Sequence, residues 1–217
     1  MFQRDYLMRM IEQMTEAIGQ VMQLRKERKQ EEALQLLDDL LDRQFGLSAR
    51  LLRSLSDEDL VKMMTQNGIV QADSLQAIAV MFKQQSEMQE ELGRDDESYE
   101  LGLKALRLFM RLTLLGAPAT VADSAGEARQ LLAKLNAYEL PEDTKLLQAE
   151  WHEAEGEYDL AENILYELYE DGYITTEHLE QFYRRLLLYG DDKLEAGGLP
   201  REEVETGLAD LGSAHKE

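Results

Sequence analysis

The chain has 217 residues, a formal net charge of −21 at pH 7 and no cysteine. The lack of cysteine excludes disulfides, thiolate metal sites and cysteine nucleophiles. The negative charge argues against nucleic acid binding, because a phosphate backbone carries the same sign. No stretch approaches the roughly 20 apolar residues of a membrane span, and residues 1–14 lack the apolar core of a signal peptide. We therefore expect a cytoplasmic protein that binds neither nucleic acid nor membranes.

The composition favours an all-α fold. Good helix formers such as Leu, Glu, Ala, Gln and Met are abundant, whereas prolines number only three. The negative charge is uneven, with a net −2 over residues 1–62 and a net −19 over residues 63–217. Such a surface is either a solvated one or one that prefers a basic partner.

In the first half of the chain, apolar spacing predicts a helix over residues 5–26 that pairs with a second over 31–46 as an antiparallel hairpin. Ser48 and Ser56 are expected to cap two short helical pieces, the second stopping at Asn67–Gly68. A long hairpin is predicted over 72–93 and 95–116, and a further helix over 123–138.

In the second half, Pro141 suits the start of a helix that ends at Gly156, and residues 158–171 are expected to pair back on it. A helix capped by Thr175 or Thr176 should close at Gly190. A polar loop over 191–198 and a last helix over 199–212 should follow. No stretch resembles a flexible linker, so we predict one domain over 1–212 and a frayed tail over 213–217.

Two hairpin turns suggest a repeated unit. Gly156 is followed by Tyr158 and then by a small residue, Ala161, and Gly93 is followed by the small Ser98. A third small residue, Ala33, opens an apolar helix without the glycine. This pattern resembles the tetratricopeptide repeat, whose small residue lets two helices approach closely, although that repeat has about 34 residues. The three small residues lie 65 and 63 positions apart, so an ordinary helical bundle remains the alternative.

The chain also resembles an uncharacterised family of tetratricopeptide-like proteins from Gram-positive bacteria, a domain of unknown function. The resemblance is carried by DYLMRMIEQ at 5–13 and LEAGGLPREEVETGLADL at 194–211. It implies stacked antiparallel helical hairpins, an α-α superhelix. It implies no activity and carries over no catalytic residue.

No catalytic or metal-binding motif stands out. The three histidines are His152, His178 and His215, and none has a Glu three positions before it, as a di-iron helical bundle would require. Paired carboxylates say little in a chain this acidic. We therefore expect no enzyme, no cofactor and no metal, with a metal- or metabolite-binding helical protein as a distant alternative.

Two surfaces are candidates for binding. First helices of successive hairpins should line a groove, and the repeat register places there Lys83, Glu87, Glu90, Glu150 and Glu153. This mostly acidic set predicts a protein or peptide partner that is basic or amphipathic.

The methionine-rich first helix is the second candidate. Methionine adapts to varied partners, so Phe2, Tyr6, Met10 and Met14 could form a self-association face of a homodimer. The alternative is that this stripe is the core face of the first helix.

Overall fold

The computed structural model describes the backbone of residues 2–214 and the side chains of residues 8–212. Within this range the chain forms twelve helices and one two-stranded antiparallel sheet, which confirms the all-α class. The helices pack into two compact units, Met1–Tyr138 and Glu139–Glu217, called units 1 and 2 below. The single domain over 1–212 stays a prediction, and residues 215–217 of the predicted tail lie outside the described residues.

Unit 1 contains seven helices and the small sheet. The elements are α1 (Phe2–Lys26), α2 (Gln30–Phe45), α3 (Ala49–Ser54), α4 (Asp57–Met63), β1 (Thr65–Gln66), β2 (Ile69–Val70), α5 (Ala72–Glu91), α6 (Asp95–Leu114) and α7 (Ser124–Leu135). The predicted caps form, since the hydroxyl of Ser48 accepts the Leu51 amide and that of Ser56 accepts the Asp59 amide.

Unit 2 contains the remaining five helices within the described range. They are α8 (Glu142–Glu155), α9 (Tyr158–Glu170), α10 (Thr176–Leu186), α11 (Asp191–Ala196) and α12 (Arg201–Ala214). Thr175 caps α10 in a capping box with His178, which assigns that histidine a structural role.

The turn glycines and small residues of the hairpins behave as the sequence predicts. Gly93 and Gly156 follow helices α5 and α8 with φ of 71° and 79°, a left-handed conformation that glycine adopts without a steric penalty. Ser98 is buried at the α5–α6 contact. Its hydroxyl donates to the carbonyl of Ser86 at 2.8 Å, and the Ser86 hydroxyl donates to that of Ser98 at 2.7 Å. The small side chain at position 98 thus lets α5 and α6 approach closely enough for each serine hydroxyl to bind the backbone carbonyl of the other helix.

The start of α9 is held by the segment after α11. The carbonyl of Gly197 accepts the amides of Tyr158 at 2.9 Å and Asp159 at 3.2 Å, two of the donors that a helix N-terminus leaves unsatisfied. The ring of Tyr158 is fully buried and packs on the backbone at Gly197. The two sequence motifs GEYD at 156–159 and AGG at 196–198 therefore form one packing unit.

Several sequence expectations are wrong. The helix expected to close at Gly190 is α10, which ends at Leu186. The segment after Ser56 ends its helix at Met63 and continues into a β-hairpin, in which Asn67 and Gly68 adopt φ of 51° and 77°. Asn-Gly favours a two-residue turn of this hand. The predicted polar loop over 191–198 contains α11, because burial of Leu194 anchors one helical turn.

Met10 and Met14 of the predicted self-association face lie in the core of unit 1, whereas Met8 and Met22 of the same helix are exposed. Met10 and Met14 are only 1% and 3% exposed, and α1 packs along α2. These two side chains are therefore not available on the surface of unit 1, and self-association through this helix stays a prediction. The side chains of Phe2 and Tyr6, the other members of the predicted self-association face, lie outside the described residues.

Candidate functional site

The predicted groove residues of unit 1 are largely neutralised by neighbouring helices. Lys83, Glu87 and Glu90 lie on α5. Lys83 pairs with Glu127 of α7, Glu87 pairs with Arg25 of α1 at 2.9 Å, and Glu90 pairs with Lys134 of α7 at 2.7 Å. This surface therefore links helices and offers much less free negative charge than the sequence suggests.

The other two predicted groove residues, Glu150 and Glu153, lie on α8 of unit 2. Glu153 accepts two hydrogen bonds from the guanidinium of Arg185, at 2.8 and 2.7 Å. The predicted groove residues are thus split between the two units. In unit 2, Glu153 is already paired with Arg185.

A concave site with a different lining lies in unit 1. A cavity of about 680 Å³ is lined by residues of α2, α5 and α6, by Arg53 of α3 and by the start of α4. Its volume lies within the range of roughly 300–1,000 Å³ that is usual for ligand-binding pockets.

A hydrogen-bonded network forms one wall of this cavity. The carboxylate of Asp38 accepts from both terminal nitrogens of Arg53, at 2.5 and 3.1 Å, and from Nε2 of the buried Gln85 at 2.6 Å. These contacts join α2, α3 and α5. The two-pronged geometry orients the guanidinium along this wall.

Asp57 anchors a second network at the start of α4. Its side chain is 4% exposed, and its carboxylate pairs with Arg107 at 2.7 Å and with Arg111, both from α6. Burial opposes ionisation of Asp57, but the hydrogen bonds and charges of Arg111 and Arg107 outweigh it and hold its pKa below the ordinary value. Asp57 is therefore a carboxylate at neutral pH.

Lys104 of α6 is a half-buried amine in the cavity wall. Its Nζ donates to the carbonyl oxygen of Arg53 and, at 2.7 Å, to that of Leu55. These two carbonyls lie at the C-terminal end of α3, where the helix dipole favours a cation. Burial lowers the pKa of Lys104, although the charges of Asp57 and Glu100 partly oppose this.

The rim of the cavity is acidic, and part of its wall is apolar. Glu97 and Glu100 of α6 are exposed, and neither makes an ion pair or hydrogen bond with any residue between 8 and 212. Leu34 of α2 and Leu103 of α6 are partly exposed into the same space. The site thus combines free carboxylates with apolar contact area.

The amino-acid sequence alone does not predict this cavity. One signal was present, because Glu97, Glu100, Lys104 and Arg107 recur at spacings of three and four and so share one face of α6. Their meeting with α2 and α3 depends on tertiary packing, which the spacing alone does not predict.

Residues 1–216 match the sequence profile of a family of unknown function, DUF6483. The chain belongs to DUF6483. No curated protein and no solved structure matches it.

In this DUF6483 protein, no three histidine, aspartate or glutamate side chains within the described range are arranged to hold a metal ion. No helix of that range is long and apolar enough to cross a membrane.

Proposed function

We propose that the protein is a non-enzymatic interaction module, and that its unit 1 cavity binds an amphipathic, partly basic peptide segment of another protein. We also infer that its hairpins are tetratricopeptide-like and that it works in the bacterial cytoplasm. The glycine turns with buried small residues and the lack of cysteine support these two inferences.

The cavity itself carries the proposal. Its volume of about 680 Å³ admits a few side chains, which suits a short segment better than a folded domain. Leu34 and Leu103 offer apolar area to such a segment, and burying apolar side chains is the main source of its binding free energy.

The charges of the cavity favour a basic residue in that segment. The cations Arg53 and Arg107 are paired with Asp38 and Asp57, whereas the rim carboxylates Glu97 and Glu100 are unpaired within residues 8–212. The charge of −21 on the whole chain adds a long-range attraction for a basic partner. Association should therefore slow as the salt concentration rises.

Photo-crosslinking in an extract of the native cells tests this proposal. A benzoylphenylalanine replaces Leu103 inside the cavity or, as a control, Lys62 of α4, whose side chain is 77% exposed and outside the lining. We expect a partner that is crosslinked from position 103 and not from 62. Equal crosslinking from both positions would refute a site at the cavity.

The crosslinked segment is then synthesised and its affinity measured by fluorescence anisotropy. Changing both Glu97→Lys and Glu100→Lys should weaken binding about ten-fold, because two exposed charge pairs of up to about 1 kcal/mol each turn repulsive. The matched control reverses Asp95 and Asp96, which lie on the same helix outside the cavity lining. An equal loss in both double variants would show a general charge effect and not a site.

A further inference from the structure

One cation of the cavity differs from the others. Arg53 pairs with Asp38, Arg107 pairs with Asp57, and Arg94 pairs with Glu31 at the rim. Lys104 has no carboxylate within hydrogen-bonding distance in the described part of the chain, since its Nζ donates only to two backbone carbonyls.

The position of Lys104 makes the lack of a directly hydrogen-bonded carboxylate among the described residues significant, although the charges of Asp57 and Glu100 act on it from further away. Its side chain is half-buried in the cavity wall, where a charge loses part of its hydration. The lowered pKa of Lys104 reflects that loss. Neutral carbonyls compensate an ammonium less well than a carboxylate does, because only the carboxylate carries the opposite charge and adds Coulomb attraction to the hydrogen bond. An anionic group of a ligand would supply the missing partner.

The rim carboxylates of Glu97 and Glu100 lie on the same helix as Lys104, at a known distance along its axis. Glu100 precedes Lys104 by four residues and Glu97 precedes it by seven, so all three share one face of α6. At about 1.5 Å per residue, they lie roughly 6 and 10 Å from it along the helix axis. The wall is thus acidic toward the start of α6 and basic further along.

We propose that the segment bound in the cavity places a carboxylate side chain on Lys104 and a basic side chain on Glu97 and Glu100. This inference rests on the proposed function and adds a rule of specificity. The cavity selects segments that carry opposite charges one to two helical turns apart, and it fixes the direction in which they bind.

Selection from a random peptide library displayed on phage tests the rule. The full-length chain is the bait, alongside Lys104→Gln and the matched exposed control Lys62→Gln. We expect the wild type and Lys62→Gln to enrich peptides with Asp or Glu three, four or seven positions from Lys or Arg. Lys104→Gln should keep the basic preference and lose the acidic one.

The outcomes separate the two claims. Failure of the wild type to enrich any peptide would refute the proposed function. Enriched peptides without an acidic residue, or an acidic preference that survives in Lys104→Gln, would refute only the rule. Lys104→Arg preserves the charge and should retain the acidic preference, which separates loss of the cation from a general packing defect.

Synthetic peptides provide the quantitative check. Replacing the selected acidic residue with Gln should weaken binding to the wild type about ten-fold, since the amide can still accept a hydrogen bond but no longer carries the charge opposite to Lys104. The same replacement should have little effect on Lys104→Gln. Peptides with free and amidated C-termini should bind equally. A loss on amidation would show that Lys104 takes a terminal carboxylate and would overturn the side-chain assignment.

Discussion

Replacing Gly197 with alanine should destabilise unit 2, because a Cβ at this position has no room. An ideal Cβ there would lie 2.6 Å from the carbonyl oxygen of Gly156 and 2.7 Å from Cε2 of Tyr158. Real Cβ atoms essentially never come within 3.0 Å of other heavy atoms. The φ of −86° at Gly197 is open to alanine, so steric overlap is the sole cause of the expected effect.

The Tyr158 ring and the backbone around Gly197 cannot shift to make room for this Cβ without losing other contacts. The Tyr158 ring is fully buried, and the Gly197 carbonyl must stay in place to accept the first amides of α9. Overpacking a core costs about 1–3 kcal/mol, and we expect the upper end here. For a chain of this size that corresponds to a fall of roughly 6–12 °C in Tm.

Thermal unfolding of the full chain, followed by circular dichroism, measures the effect. Gly212→Ala is the matched control, since a Cβ at this helical glycine of the same unit meets no described atom within 4 Å. That variant should be unchanged or slightly stabilised, because alanine favours a helix more than glycine does. A Tm for Gly197→Ala within about 2 °C of the wild type would refute the packing argument, since that shift corresponds to less than about 1 kcal/mol.

Two further predictions concern buried polar groups. Tyr158→Phe should stabilise the chain by about 1–3 kcal/mol in urea unfolding, because the buried hydroxyl has no hydrogen-bond partner among the described residues; a loss of stability would contradict this. Asp57→Asn should cost about 1.5–3 kcal/mol at pH 7, since it removes the charged acceptor that Arg107 and Arg111 share, while Arg111 keeps its pair with Glu58. Because the folded-state pKa of Asp57 is lowered, its contribution is complete above the ordinary value and is lost as the pH falls through the folded-state pKa. Unfolding midpoints between pH 2 and 7 should therefore fall less steeply on acidification in Asp57→Asn than in the wild type, and parallel profiles would rule this out.

Local signals made most helices predictable. Apolar spacing set the long hairpin of α5 and α6, and glycines at 93 and 156 marked the helix ends because only glycine adopts a left-handed conformation without cost. Ser48 and Ser56 capped the helices expected of them. Each of these signals lies within a few residues of the feature that it predicts.

The candidate site was not predictable in the same way. The ion pair between Arg25 and Glu87 joins residues 62 positions apart, and no local pattern shows that this glutamate is already paired. The contact between Lys104 and the carbonyl of Leu55 likewise spans 49 positions. The sequence showed where the charges lie, but their pairing depends on how the helices pack.

Hydrogen–deuterium exchange of the full chain, with and without the peptide obtained by crosslinking or selection, shows whether that peptide binds in the unit 1 cavity. We expect slower exchange on binding in α2 over Gln30–Phe45 and in α6 over Asp95–Leu114, the two helices that supply most of the cavity lining. Protection confined to α8 through α12, or no protection in α2 and α6 at a saturating peptide concentration, would contradict binding in this cavity.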